Sequence, residues 1–231
     1  MIGIICAMRV ELDRIRENME IREEQECSGI HFYLGTMHGK ELVTAVCGIG
    51  KVFAGICAQT MILMYHPDMI LNVGVAGTLT DKLDIADIAV ADKLVQHDMD
   101  TSPLGDPKGL ISGINIVEVP CDERIVKTIA ECVHELHMNA LVGTIASGDQ
   151  FVVDPSRKEF IVREFSGIAC EMEGAAIGQV CYVNQTPFCV IRAISDSANE
   201  QSHMDYPEFV KLAAANTANV IDLFVQRIRI G

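Results

Sequence analysis

Apolar positions along the chain alternate between short continuous runs and stripes spaced three or four residues apart, the periods of buried strands and amphipathic helices. The run Ile2 to Ala7 predicts a first strand, and Leu12, Ile15 and Met19 at i, i+3 and i+7 predict a helix opened by Glu11. His31 to Val46 reads as two β runs joined at His38-Gly39-Lys40, a hairpin with glycine in its turn. Met69 to Gly77 is a buried strand entering a glycine-rich turn, and Ile85 to Val95, Ile114 to Val119 and Leu141 to Ala146 are further strands. Between them, Asp122 to Met138 predicts a helix with Asp122 as cap and Ile125, Ile129, Val133 and Leu136 facing inward. Asp154-Pro155 starts another, carrying Phe160, Ile161 and Phe165 inward. The strand Phe188 to Ile194 runs into Ser195-Asp196, and a last helix spans Pro207 to Ile228. Strands and helices alternate throughout, with one hairpin. That order predicts a three-layer α/β/α sandwich around a mixed, mostly parallel twisted sheet.

Neither a repeat nor a linker interrupts the pattern, so residues 1–231 are expected to form one domain. With 18 Lys+Arg against 32 Asp+Glu the formal net charge is -14, the wrong sign for a nucleic-acid partner, whose phosphates call for a basic face. No apolar run reaches the roughly 18 residues of a membrane span, and the first residues lack the charged leader of a signal peptide. The nine cysteines are odd in number and form no C-x-x-C pair, which predicts reduced core thiols and a cytoplasmic protein. His134 and His137 stand three apart without a second pair, so no metal is expected. Gly48-Ile49-Gly50-Lys51 lacks the earlier glycine and the following Ser/Thr of a phosphate loop, which excludes that motif.

The chemistry concentrates in Ala169-Cys170-Glu171-Met172-Glu173-Gly174, where an apolar strand ends in two acids and a small-residue helix begins. Residues two apart on an extended segment point the same way, so Glu171 and Glu173 are expected to share a face opposite Met172. The plainer reading is that these acids favour the positive end of the following helix. Glu11 and Asp196 also stand at strand ends, and strand ends converge in such sheets. Clustered carboxylates without histidine ligands point to acid/base work on a neutral substrate, for which glycosidic bonds are the standard case.

On these residues the chain resembles the 5'-methylthioadenosine/S-adenosylhomocysteine nucleosidases of the nucleoside phosphorylase superfamily. The resemblance runs over essentially the whole chain and rests on Gly3-Ile4-Ile5-Cys6-Ala7-Met8 with Glu11, Gly48-Ile49-Gly50-Lys51 and Asn72-Val73-Gly74-Val75-Ala76-Gly77. Further on it rests on Ser147-Gly148-Asp149-Gln150-Phe151, Glu171-Met172-Glu173, Arg192-Ala193-Ile194-Ser195-Asp196 and the tail Gln201-Ser202-His203.

The resemblance implies a homodimeric hydrolase without cofactor that cleaves the N-glycosidic bond of adenine thionucleosides. By it, Asp196 would supply the proton to adenine N7 and Glu11 would take one from the attacking water. Glu173 would bind the ribose hydroxyls beside Glu171, and Met172 would lie along the sugar. Phe151 would stack on adenine while the backbone of Val152 reads its edge. Ser195 would orient Asp196, Arg192 would sit near the carboxylates, and Met8, Ile49, Gly77 and Tyr206 would line or close the pocket. The loop from His97 to Gly113 would reach the neighbouring subunit's 5'-substituent pocket. Val75 stands where the family usually carries Ser or Thr, and only Arg9 is basic in the first loop, where related phosphorylases bind phosphate. Both features favour hydrolysis. The alternatives are a phosphate-dependent purine nucleoside phosphorylase and a non-catalytic adenosine-binding module.

Overall fold

The computed structural model describes residues 1–196 and 206–229, with the backbone alone at Asp196, Tyr206 and Pro207. Gln201-Ser202-His203 therefore lies outside the described residues, as do the side chains of Asp196 and Tyr206.

The central strand is β1 (Ile2–Cys6), buried on both faces and flanked by two parallel neighbours, β4 (Lys40–Val46) and β5 (Met69–Thr78). Its apolar run fits a strand covered above and below. On one side the sheet ends in an antiparallel meander, β4 to β3 (Ile30–Met37) to β2 (Glu20–Cys27). The hairpin across His38-Gly39 is as expected, whereas β2 is an additional strand. On the other side, β5 pairs in parallel with β10 (Phe188–Asp196), and β10 pairs antiparallel with β6 (Ile88–Gln96). β6 continues in parallel to β8 (Ala140–Ser147), and β8 to β9 (Gly167–Glu171). β9 then pairs antiparallel with Gly77 and Thr78 of β5. The two longest ladders, β5 with β10 and β6 with β8, are parallel while those of the meander are antiparallel, and the strands β5, β10, β6, β8 and β9 close into a ring, which the alternation of strands and helices did not foretell.

Helices cover both faces. α2 (Lys51–Tyr65) and α5 (Gly174–Asn184) pack together on one, and α1 (Arg9–Arg16), α3 (Glu123–Glu135) and α6 (Tyr206–Arg227) on the other. Two cores result, one around Ile5, Met61 and Ile177, the other around Ile4, Leu12, Ile129 and Phe224. α4 (Pro155–Phe165) closes a third, smaller core with Val95, Cys170 and Phe165. Asp122 and Asp154 cap α3 and α4 through their side chains, accepting from Ile125 N at 3.0 Å and Ser156 N at 3.1 Å. The small residues of α5 permit close packing, since a Cβ on Gly178 would stand 2.6 Å from Leu94.

Three elements differ from expectation. α1 stops at Arg16, and Met19 is buried from the following turn. The strand expected over 114–119 reduces to β7 (Val119–Pro120) and a bridge between Ile111 and Ile116. The loop of 101–113 contains one 3-10 turn, Ser102–Leu104.

Candidate active site

The C-terminal ends of β1, β5, β9 and β10 meet over one crevice, the place where parallel strands leave room for a ligand. Its wall takes in Met8, Glu11, Ile49, Gly77, Phe151, Val152, Glu171, Met172, Glu173 and Ser195 from the expected set, and also Val75. Thr78, Leu79, Gln150, Lys158 and Cys170 also line it, without having been singled out for the site.

Glu11 reaches the crevice from the first turn of α1. Its carboxylate accepts Met8 N at 2.8 Å and Val75 N at 3.0 Å, so it is tethered to both β1 and β5. A Cβ on residue 74 would lie 2.7 Å from Glu11 Oε1, and Gly74 is what lets the carboxylate lie against the strand. Burial lifts the Glu11 pKa above its ordinary value, against the opposing pull of Arg192 and the amide donors. Val75 has no hydroxyl to offer, yet its backbone positions the acid.

Glu171 and Glu173 do not share a face opposite Met172. The chain leaves extended geometry at Glu173 (φ -133°, ψ -39°), and all three side chains line the crevice. Glu171 is consumed by the protein. Oε2 accepts from Gly174 N at 2.8 Å, Glu173 N at 3.1 Å and Arg192 Nη2, while Oε1 accepts from Ser147 Oγ. The plainer reading of this acid, as a partner for the start of α5, is the one realised. The Glu171 carboxylate is held in a buried ion pair with Arg192 while it lines the crevice.

Arg192 is buried behind that pair and stays away from the crevice wall. Nη1 donates to Asn72 O at 3.2 Å and Ile191 O at 3.1 Å, and Nη2 donates to Asn72 Oδ1. Asn72 in turn donates to Ile5 O at 2.9 Å, which links β1, β5 and β10 under the site. Ser147 and Asn72 were not foreseen as site residues. A polar side chain inside the apolar run Met69–Val75 was the available signal, because a buried amide must be satisfied.

Glu173 is freer. Its Oε1 accepts from Gly50 N at 2.8 Å, and burial, with the charge of Glu171 next, raises its pKa to about 7. Gly50 belongs to the loop carrying Ile49, which stands exposed at the rim across from Phe151. The two rims are tied together. Lys51 N donates to Asp149 Oδ1 at 2.7 Å, Asp149 N donates to Asp98 Oδ2 at 2.9 Å, and Lys51 Nζ pairs with Asp98 at 2.7 Å. The lysine of the rejected phosphate-loop pattern thus ties the two rims to each other through Asp98.

At the end of β10 the ladder to β5 shifts register between Ile194 and Asp196, a bulge that sets the Asp196 backbone beside Gly77. Ser195 is buried there and Oγ lies 3.5 Å from Ala76 O. Arg9 is exposed and takes no part in the wall.

A mixed α/β sheet with a carboxylate-rich crevice at its strand ends, bordered by an open aromatic ring, defines a protein that handles a small, partly flat molecule. The model of the phosphorylase superfamily matches residues 1–226, and the chain belongs to that superfamily. It is 34% identical over 98% of its length to 99% of a 5'-methylthioadenosine/S-adenosylhomocysteine nucleosidase of Oceanobacillus iheyensis. It is 39% identical, over 98% of both chains, to an aminodeoxyfutalosine nucleosidase of Helicobacter pylori. Among solved structures, a mutant of the H. pylori MTAN with 5'-methylthioadenosine in its active site is similar at TM-score 0.93 and 38% identity, over 98% of both chains. The Neisseria meningitidis nucleosidase in complex with methylthio-immucillin-A matches at TM-score 0.93 and 32% identity, over 98% of this chain and 99% of that one.

Proposed function

We propose that the protein is a nucleosidase that hydrolyses the N-glycosidic bond of 5'-methylthioadenosine and S-adenosylhomocysteine, releasing adenine and the 5-thioribose product. The observation that carries this reading is the crevice itself. Glu11 and Glu173 line a pocket rimmed by Phe151, and relatives alike over almost the whole chain bear nucleosidase names.

In this reading adenine stacks on Phe151 with its edge at the Val152 backbone, and the sugar lies over Met172 with its hydroxyls at Glu173. Asp196 donates a proton to N7. As the bond from C1' to N9 breaks, its electron pair passes to the base and positive charge develops on the sugar ring, where the anionic glutamates stabilise it. Water then adds to C1', and Glu11 takes its proton. The two amides that hold Glu11 keep its oxygens pointed into the pocket. The water is the nucleophile because the one basic residue of the first loop, Arg9, stands outside the wall.

A homodimer fits the open apolar surface beside the site. Val52 and Phe53 of α2 are 71% and 55% exposed, continuous with Ile49, and such a patch marks an interface. Equilibrium sedimentation at twice the chain mass is expected. All nine cysteines are free thiols, which suits a reducing cytoplasm. Among the described residues no helix is long and apolar enough to cross a membrane.

Chromatography after incubation with methylthioadenosine, with and without phosphate, tests the reaction. Adenine and methylthioribose independent of phosphate are expected; a sugar 1-phosphate formed only with phosphate would make the protein a phosphorylase.

A further inference from the structure

The crevice is electrically lopsided. Glu11 and Glu173 occupy the side formed by β1 and α5, while Leu79, Val152 and Cys170, which belong to the small core under α4, form the other end. On that second end stands Lys158, in the first turns of α4, where Asp154 O accepts its backbone N–H at 3.0 Å. Its side chain is half-buried and makes no hydrogen bond or ion pair with any described residue.

The neighbouring cations are all engaged. Arg157 donates to His97 O at 2.9 Å and packs over Phe160, Lys51 pairs with Asp98, and Arg192 with Glu171. A long ammonium side chain loses conformational freedom when half-buried, and leaving it without an acid at the wall of a cavity means that its charge faces the cavity contents. An apolar side chain would serve packing against Leu79 and Val152 equally well. The position therefore points to a ligand group that gains electron density at this end.

We propose that Lys158 is a catalytic residue acting on the leaving group: its ammonium favours passage of the bonding electron pair onto the base as the glycosidic bond breaks. The proposal rests on the reading above, in which the base lies at Phe151 and Val152. The electron pair of the C1'–N9 bond goes to N9 and spreads over the purine ring. The proton on N7 comes from the acid, the proton of the incoming water goes to Glu11, and Lys158 keeps its own proton throughout. Carboxylates at the sugar and an ammonium at the base together match the shift of electrons from sugar to base, an interaction that strengthens only as the bond stretches.

The test measures kcat and KM of Lys158→Met and Lys158→Arg with methylthioadenosine and with its 2-fluoroadenine counterpart, whose base leaves more readily. Thermal melts of both variants monitor folding. Lys158→Met is expected to lower kcat about 10- to 100-fold with KM changed about threefold or less, since one preorganised electrostatic group is removed. The loss should shrink with 2-fluoroadenine, and Lys158→Arg should recover most of kcat. Loss confined to KM, equal loss for both bases, or no loss would each overturn the role of Lys158. Hydrolysis by the unmodified protein is read in the same experiment, so absence of any turnover there rejects the nucleosidase reading separately.

Discussion

Two strand-to-helix junctions carry acids and use them oppositely. At β1 to α1, Glu11 accepts two backbone amides and pairs with no cation among the described residues, and its pKa stands raised by burial. At β9 to α5, Glu171 accepts two amides, a serine hydroxyl and a guanidinium. An acid with unspent acceptor capacity, buried in the crevice wall, is available for proton transfer. One that already accepts from four protein donors is a structural pin. Position at a strand end does not distinguish them; the number of donors arriving from other strands does.

The largest expected effect lies at the first junction. Glu11→Gln keeps the shape and removes the base, so turnover of methylthioadenosine should fall about 100- to 10,000-fold. Binding of the substrate, followed by calorimetry, should survive; unchanged turnover would show that another group takes the proton.

At the second junction the effect should fall on stability. Glu171→Gln leaves Arg192 buried with its charge uncompensated, which costs about 3–5 kcal/mol in urea unfolding. Combining it with Arg192→Met should cost less than the sum of the two single changes, because the pair is coupled. Additive losses would mean that the ion pair is not what holds these strands together.

Glu173 gives the smallest and most pH-dependent effect. Its folded pKa of about 7 lies above the ordinary 4.5, so the native state retains a proton that the unfolded chain releases. The stability this contributes is complete below pH 4.5 and is lost as pH rises through about 7. Glu173→Gln should therefore melt a few degrees higher than the parent at pH 8, with the gain gone at pH 4, on the scale of about 1 kcal/mol. A gain independent of pH would show that the carboxyl is not the titrating group.

Much of this architecture is legible in the amino-acid order. β1, the hairpin and the caps Asp122 and Asp154 follow from local period and local hydrogen-bonding chemistry, which need no knowledge of the rest of the chain. β2 escaped because Glu-Ile-Arg-Glu-Glu-Gln-Glu-Cys has no apolar alternation; only its pairing with β3 makes it a strand. Met19 extends the stripe of α1 past the true helix end because burial in a turn leaves the same mark as burial on a helix. Closure of the ring through β9 and β5 depends on contacts between residues such as Gly77 and Cys170, far apart in the chain. The same limit applies at the site. Glu11, Phe151 and Glu173 were readable one by one, while the engagement of Glu171 required Ser147 and Arg192 to converge on it from β8 and β10.

The meander ends in β2, whose outer edge has no strand beside it among the described residues. An open edge invites a second molecule to add its own strand and start a fibril. Here the exposed row Glu20, Glu23, Glu24 and Glu26 makes any two such edges repel, and the twist introduced by the register shift between Ile21 and Glu23 spoils a flat match. The least patterned stretch of the chain is thus the one that keeps the protein from polymerising.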